Sequence, residues 1–149
     1  QPEIWRGFGA TLDSADLRAW IASCGATEVW FSGAGTSAYI GDFVASALGV
    51  QRMLPIKSVA STDLVAAPHQ FIGDGTPLVV SFGRSGNSTE SIGVLNVLDN
   101  LAPNAPRLNI TCNANGALAT VRSARCGAIV GNGCRVGATL RRIAAATVG

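Results

Sequence analysis

Acidic residues run out early in this chain of 149 residues. All nine lie at or before Asp99, while residues 120–149 hold five arginines with no acid and no lysine. Charge is sparse throughout, at 13% against 48% apolar residues, which excludes a disordered, self-repelling polymer and leaves a folded domain. No apolar run approaches the ~20 residues that span a bilayer, and the N-terminus shows no basic-then-apolar leader. A compact cytoplasmic protein without a membrane partner is therefore expected. The four cysteines, Cys24, Cys112, Cys126 and Cys134, fall in no CxxC or zinc-ligand spacing, so neither a metal site nor a disulfide framework is expected. Asn87-Ser88-Thr89 and Asn109-Ile110-Thr111 match the glycosylation sequon, but without secretion the match carries no chemistry. Histidine occurs once, as His69 in APHQF, with no second titratable partner in its stretch; it reads as a solvated loop residue.

What is present is an alternation. Residues 11–24 carry Leu17, Trp20, Ile21 and Cys24 at helical spacing, with Asp13 or Ser14 as cap. EVWFS (28–32) is a short β-branched and aromatic run that meets Gly33, and SAYIGDFVASAL (37–48) returns to a helical period. A second strand is predicted near Ile56–Ala60, and a third in PLVVSF (77–82), apolar on both faces as a buried parallel strand is. Residues 88–101 form a helix capped by Asn87 or Ser88, with Ile92, Leu95, Leu98 and Leu101 on one stripe; RLNITC (107–112) is a fourth strand. Strand and helix in turn predict a three-layer α/β/α sandwich around a parallel sheet, flavodoxin-like and incomplete at the C-terminus.

Two of the turns share one design. Gly33-Ala34-Gly35-Thr36-Ser37-Ala38 follows a strand and opens a helix, so its amides face whatever lies above the helix N-terminus, a position suited to an anion. Ser81-Phe82-Gly83-Arg84-Ser85-Gly86-Asn87-Ser88-Thr89 repeats the arrangement, with small residues that admit backbone approach and hydroxyls that can grip phosphate oxygens. Taken singly, either turn could be a tight turn with capping residues; as a pair at strand C-termini they converge on one crevice. A sugar phosphate fits it.

Three rivals fail. GAGTSA matches the dinucleotide pattern, but the second strand ends in Ser58 and Ala60 where a ribose-binding acid belongs. No lysine follows either glycine turn, which excludes a nucleoside-triphosphate loop. Gly83-Arg84-Ser85-Gly86 would need glycine at Asn87 to be a nucleophile elbow, and His69 precedes the serine where that fold places it after. Ser85 is therefore read as a ligand hydroxyl, and no cofactor is expected.

EVWFSGAGTSAYIGD, STDLVAAP, VVSFGRSGNSTES and NITCN resemble the AgaS-type tagatose-6-phosphate ketose/aldose isomerases, also described as galactosamine-6-phosphate deaminase/isomerases, over roughly residues 1–118. The resemblance implies a sugar isomerase (SIS) domain. It divides the chain into a helical lead-in (1–25), a partial first SIS domain (26–118) and a tail (119–149). Carried residue by residue, it implicates Gly35, Thr36 and Ser37, then Arg84, Ser85, Gly86, Asn87 and Ser88, in holding substrate phosphate, with Asn113 a candidate to line the sugar. It also implies a homo-oligomer for the full-length family; a nucleic-acid partner is not the first expectation. Members of that family are longer and carry a second SIS domain that supplies a glutamate for proton abstraction at C2, a histidine for ring opening and a lysine. No counterpart of these stands in this chain, so binding without turnover is expected of it, with a non-catalytic sugar-phosphate sensor as the alternative.

The tail, ATVRSARCGAIVGNGCRVGATLRRIAAATVG, is of another kind: Ala, Gly, Arg, Val, Cys and Thr without acid, aromatic or clear period. Such composition is what a GC-rich gene yields out of frame, and a frame change near residues 116–121 is the first reading of it. A basic tail that contacts nucleic acid or another partner electrostatically is the second.

Overall fold

The computed structural model describes residues 14–48, 54–121, 126–131 and 138–142. Its elements in chain order are α1 (Ser14–Ser23), β1 (Glu28–Ser32), α2 (Thr36–Leu48), β2 (Ile56–Ser58), α3 (Ser61–Ala66), a 3-10 turn (Pro68–Gln70), β3 (Pro77–Gly83), α4 (Thr89–Leu101), β4 (Arg107–Thr111), α5 (Ala117–Thr120), β5 (Cys126–Gly131) and β6 (Ala138–Arg142). The strands form one sheet in the order β2-β1-β3-β4-β5-β6, parallel from β2 through β5, with β6 antiparallel at the edge.

Alternation along the central strands builds a core on each face of the sheet. Trp30 of β1 and Val79 of β3 turn to one side, where they pack with Val59, Leu64 of α3, and Val94 and Leu98 of α4. Phe71 meets the Trp30 ring edge-on at 6.5 Å, the arrangement aromatic quadrupoles favour. Leu78, Val80 and Leu108 turn to the other side against Leu17, Trp20 and Ile21 of α1. Phe31 and Phe82 stack there across the strands with centroids 5.9 Å apart. Helix, sheet and helix make the three layers the strand–helix alternation predicts.

Several elements differ from the sequence reading in extent. The N-terminal helix is described over Ser14–Ser23, and the proposed cap Asp13 lies outside the described residues. Of the two cap candidates for α4, Ser88 serves: its hydroxyl accepts from the Ser91 amide at 3.2 Å. STDLVA, which has no helix-long apolar period, forms the single-turn-and-a-half helix α3 because Leu64 anchors it at 0% exposure. The aperiodic tail contributes β5, and non-local pairing explains why: Cys126–Val130 run in register beside Arg107–Thr111 of β4.

Two ion pairs tie the N-terminal halves of the strands. Lys57 of β2 meets Glu28 of β1 at 2.6 Å, and Arg107, its side chain 1% exposed, meets Asp99 at the end of α4 at 2.5 Å. Among the described residues no helix is long and apolar enough to cross a membrane.

Leu64→Ala is expected to cost about 2–5 kcal/mol, since it empties a site under α3 between Trp30 and Val94, whereas Tyr39→Ala, at a position 73% exposed, should stay within about 0.5 kcal/mol of the parent. Urea unfolding of both variants checks the contrast; equal losses would contradict the burial described.

Candidate functional site

Strand order decides where a crevice can form. From β1 the chain moves outward to β2 through α2; from β3 it moves the opposite way to β4 through α4. Buried Gly41 of α2 faces Phe31, whose ring belongs to the α1 side of the sheet, while Val94 and Leu98 of α4 lie on the Trp30 side. The two helices thus leave adjacent strands toward opposite faces. Beyond the carboxyl ends of β1 and β3 this reversal opens a gap, the place where ligands settle in open α/β sheets. Ser32 and Ser81 are paired in register at those ends, so the loops that follow them border the same gap.

The first loop supplies Gly35 at φ +53°, then Thr36 and Ser37 as the opening residues of α2. Gly35 and Thr36 are exposed and Ser37 is half-buried. The Ser37 amide donates to Ala34 O and the Ala38 amide to Gly35 O, both at 3.0 Å, which winds the loop directly into the helix. Gly33 O accepts from the Ser61 amide at 2.9 Å, so the start of α3 is pinned beneath the same loop.

The second loop supplies Arg84 to Ser88. Arg84 and Ser85 are exposed, and Arg84 makes no ion pair among the described residues. Gly86 is buried at φ +66°, and a Cβ there would stand 2.9 Å from the Thr111 hydroxyl, so both backbone conformation and space demand glycine. The Asn87 amide donates to Ser85 Oγ at 3.3 Å, while Asn87 Oδ1 accepts from the Ala117 amide at 2.8 Å; the carboxamide is turned toward α5 and keeps its NH2 for other partners. Ser88 Oγ also lies 3.0 Å from Ser91 Oγ, a hydroxyl partner for which the sequence holds no signal beyond the Ser-x-x-Ser spacing.

All eight phosphate candidates therefore sit on two loops at one edge of two neighbouring strands. Asn113 sits on a third, after β4. Its Nδ2 donates to Ser85 O at 2.9 Å and its Oδ1 accepts from the Asn115 amide at 3.0 Å, so its carboxamide is engaged with backbone. His69 lies exposed in the 3-10 turn after α3. Among the described residues no group of three or more His, Cys, Asp or Glu could hold a metal ion. Cys24 is buried, its Sγ donating to Trp20 O at 3.2 Å, and Cys112 is exposed; the side chains of Cys126 and Cys134 are outside the described set.

The site has anion chemistry and little else. Helices α2 and α4, each of 13 residues, present their N-termini to the gap, and hydroxyls at 36, 37, 85 and 88 stand beside them. None of the residues 33–37 or 84–88 is an Asp, Glu, His or Lys, so the loops bring a guanidinium, hydroxyls and amides but no general base.

No family model matches the chain. A curated relative, D-galactosamine-6-phosphate deaminase AgaS of Shewanella sp. (strain ANA-3), is 36% identical over 129 residues, which are 80% of this chain and 33% of the relative. The protein of the same name from Escherichia coli O157:H7 is 43% identical over 92 residues, 61% of this chain and 24% of its own. Among solved structures, tagatose-6-phosphate ketose/aldose isomerase from Escherichia coli matches with a TM-score of 0.69 at 30% identity, over 84% of this chain and 37% of that one. The fold and its paired glycine–serine loops thus define a sugar isomerase (SIS) domain. Over the stretch that matches, this domain belongs to the AgaS-type family of galactosamine-6-phosphate deaminases and tagatose-6-phosphate ketose/aldose isomerases. The chain spans about a third or less of the length of those curated relatives.

Gly86→Ala should destabilise the domain by about 1–3 kcal/mol, the cost of holding an alanine in the left-handed region, with a further clash against Thr111. Thermal unfolding measures it, and a variant as stable as the parent would contradict the loop conformation.

Proposed function

We propose that this domain binds the phosphate of a phosphorylated hexosamine or its ketose isomer in the gap between β1 and β3, as the phosphate-holding part of an amino-sugar-phosphate isomerase or deaminase. One observation carries the reading: two hydroxyl- and glycine-rich loops lead into two long helices at the point where the strand order reverses. The first loop offers Thr36 and Ser37 with the α2 N-terminus; the second offers Ser85, Ser88, the Arg84 guanidinium and the α4 N-terminus. Each contact is charge-assisted once a phosphate dianion enters, and such bonds are about twice as strong as neutral ones. The names of the relatives, a galactosamine-6-phosphate deaminase and a tagatose-6-phosphate isomerase, support a C6 phosphate on a six-carbon sugar as the guest.

Chemistry at C1 and C2 of such a sugar needs a base that takes the C2 proton and returns it at C1. The two loops bring no such group, so the role assigned to them is to hold the phosphate and present the chain of carbons to a base that comes from elsewhere. Binding energy on the remote phosphate then orients the reacting carbons.

Calorimetric titration with galactosamine 6-phosphate tests this. Ser85→Ala should lose about 1–3 kcal/mol of binding, the range for a hydrogen bond to a charged group, and unphosphorylated galactosamine should bind far more weakly than the phosphate ester. Equal affinity for the sugar with and without phosphate would sink the proposal. An assay of ammonia release by the chain itself should read at background.

A further inference from the structure

We propose that Thr111 and Asn113 are positioning residues that aim the second loop's amides at the phosphate, an assignment that rests on the phosphate-binding reading above. The second loop is held by its acceptors. Arg84 O accepts from the Cys112 amide at 3.2 Å and from the Thr111 hydroxyl at 3.3 Å. Ser85 O accepts from Asn113 Nδ2 at 2.9 Å, Gly86 O from the Leu118 amide at 3.1 Å, and Asn87 Oδ1 from the Ala117 amide at 2.8 Å. Four residues in succession are tied, and every donor lies between 111 and 118.

The donors of the same loop behave oppositely. Among the described residues the amides of Ser85, Gly86 and Ser88 donate to no protein acceptor, and that of Asn87 reaches only Ser85 Oγ. Peptide geometry connects the two facts. In a planar trans peptide the C=O of one residue and the N–H of the next point in opposite directions. A carbonyl held toward residues 111–118, on the β4 side, therefore sends the following amide toward the β1 side, where the gap lies. Pinning the Arg84, Ser85 and Gly86 carbonyls orients the Ser85, Gly86 and Asn87 amides in this way. Successive N–H groups turned to one side form an anion-binding concavity, and fixing them beforehand avoids reorganisation when the anion arrives.

Thr111 and Asn113 are the side chains in this clamp. Thr111 is 2% exposed, and its hydroxyl both donates to Arg84 O and accepts from the Asn113 amide at 3.2 Å. Asn113 spends both ends of its carboxamide, on Ser85 O and on the Asn115 amide. Gly116 permits the close approach, since a Cβ there would stand 2.6 Å from Ser85 O. On this assignment Asn113 acts on the ligand through Ser85, and the direct sugar contact that the resemblance implied is the rival outcome of the test.

The test uses two ligands, galactosamine 6-phosphate and inorganic phosphate, titrated against the whole chain. Thr111→Val keeps the side-chain shape and removes both hydrogen bonds; Thr111→Ser retains them; Asn113→Ala removes the link to Ser85 O. Thr111→Val and Asn113→Ala are expected to weaken both ligands about tenfold, with Thr111→Ser close to the parent. Loss of sugar-phosphate affinity in Asn113→Ala with inorganic phosphate unchanged would mean a direct sugar contact and overturn the assignment for Asn113. Parental phosphate affinity in Thr111→Val, or an equal loss in Thr111→Ser, would overturn it for Thr111. Should Thr111→Val fail to fold, Asn113→Ala decides alone. Ser85→Ala separates the two levels: if it too binds as the parent does, the phosphate site itself is wrong and the clamp falls with it, whereas a weakened Ser85→Ala beside parental clamp variants removes only the clamp.

Discussion

Parallel pairing of β1 with β3 is the contact on which the rest of the structure depends. Glu28–Ser32 lie in register beside Pro77–Ser81, although more than forty residues separate them in the chain. That pairing buries Trp30 and Val79 on one side and draws Val29, Phe31, Leu78 and Val80 into the other core. Since parallel strands cannot be joined by a tight turn, each must be followed by a crossover, and these crossovers are almost always right-handed. One crossover going outward to β2 and the other inward to β4 must lie on opposite faces. The gap at the strand ends is a geometric consequence of that, present before any ligand-specific residue is considered.

Near this gap the interior changes character. Ser32, Ser81, Asn109 and Thr111 are all buried at the carboxyl ends of three neighbouring strands, and Ser61 is buried at the start of α3. The buried residues in the middle of β1 and β3 are Trp30, Leu78, Val79 and Val80, while β4 opens on the buried Arg107. Apolar packing thus fills the middle of β1 and β3, while in β4 Asn109 makes a directional bond, its Nδ2 donating to Leu118 O at 3.0 Å. Thr111 is held in the same way, its hydroxyl donating to Arg84 O, whereas the buried hydroxyls of Ser32 and Ser61 have no hydrogen-bond partner among the described residues.

The second loop and the start of α5 are held by the same bonds. Its carbonyls bond to residues 111–118, and those bonds also fix the start of α5, where Leu118 is fully buried beside Gly83 and Gly86. Nothing comparable backs the first loop, whose Gly33 O is tied instead to Ser61 of α3. The two loops resemble each other in sequence yet are supported by different neighbours, one from β4 and one from the segment after β2.

Local patterning was enough to read most of this architecture. The β-branched runs at 28–32, 77–82 and 107–112 and the helical stripes at 11–24, 37–48 and 88–101 appear within a residue or a few of their predicted limits, because hydrophobic period and glycine breaks are local properties. The two glycine–serine loops were visible for the same reason. The tail concealed β5, since Cys126–Gly131 becomes a strand through β4 and has little alternation of its own. Likewise the sequence could name Asn113 but not its hydrogen-bond partner. Its partner Ser85 is 28 residues away, and only the lateral pairing of β3 with β4 turns that separation into a hydrogen bond. Composition and spacing thus determined which elements form and which residues are candidates to meet an anion; tertiary structure decided which carbonyls are tied down, because their donors lie on a strand and loop remote in the chain.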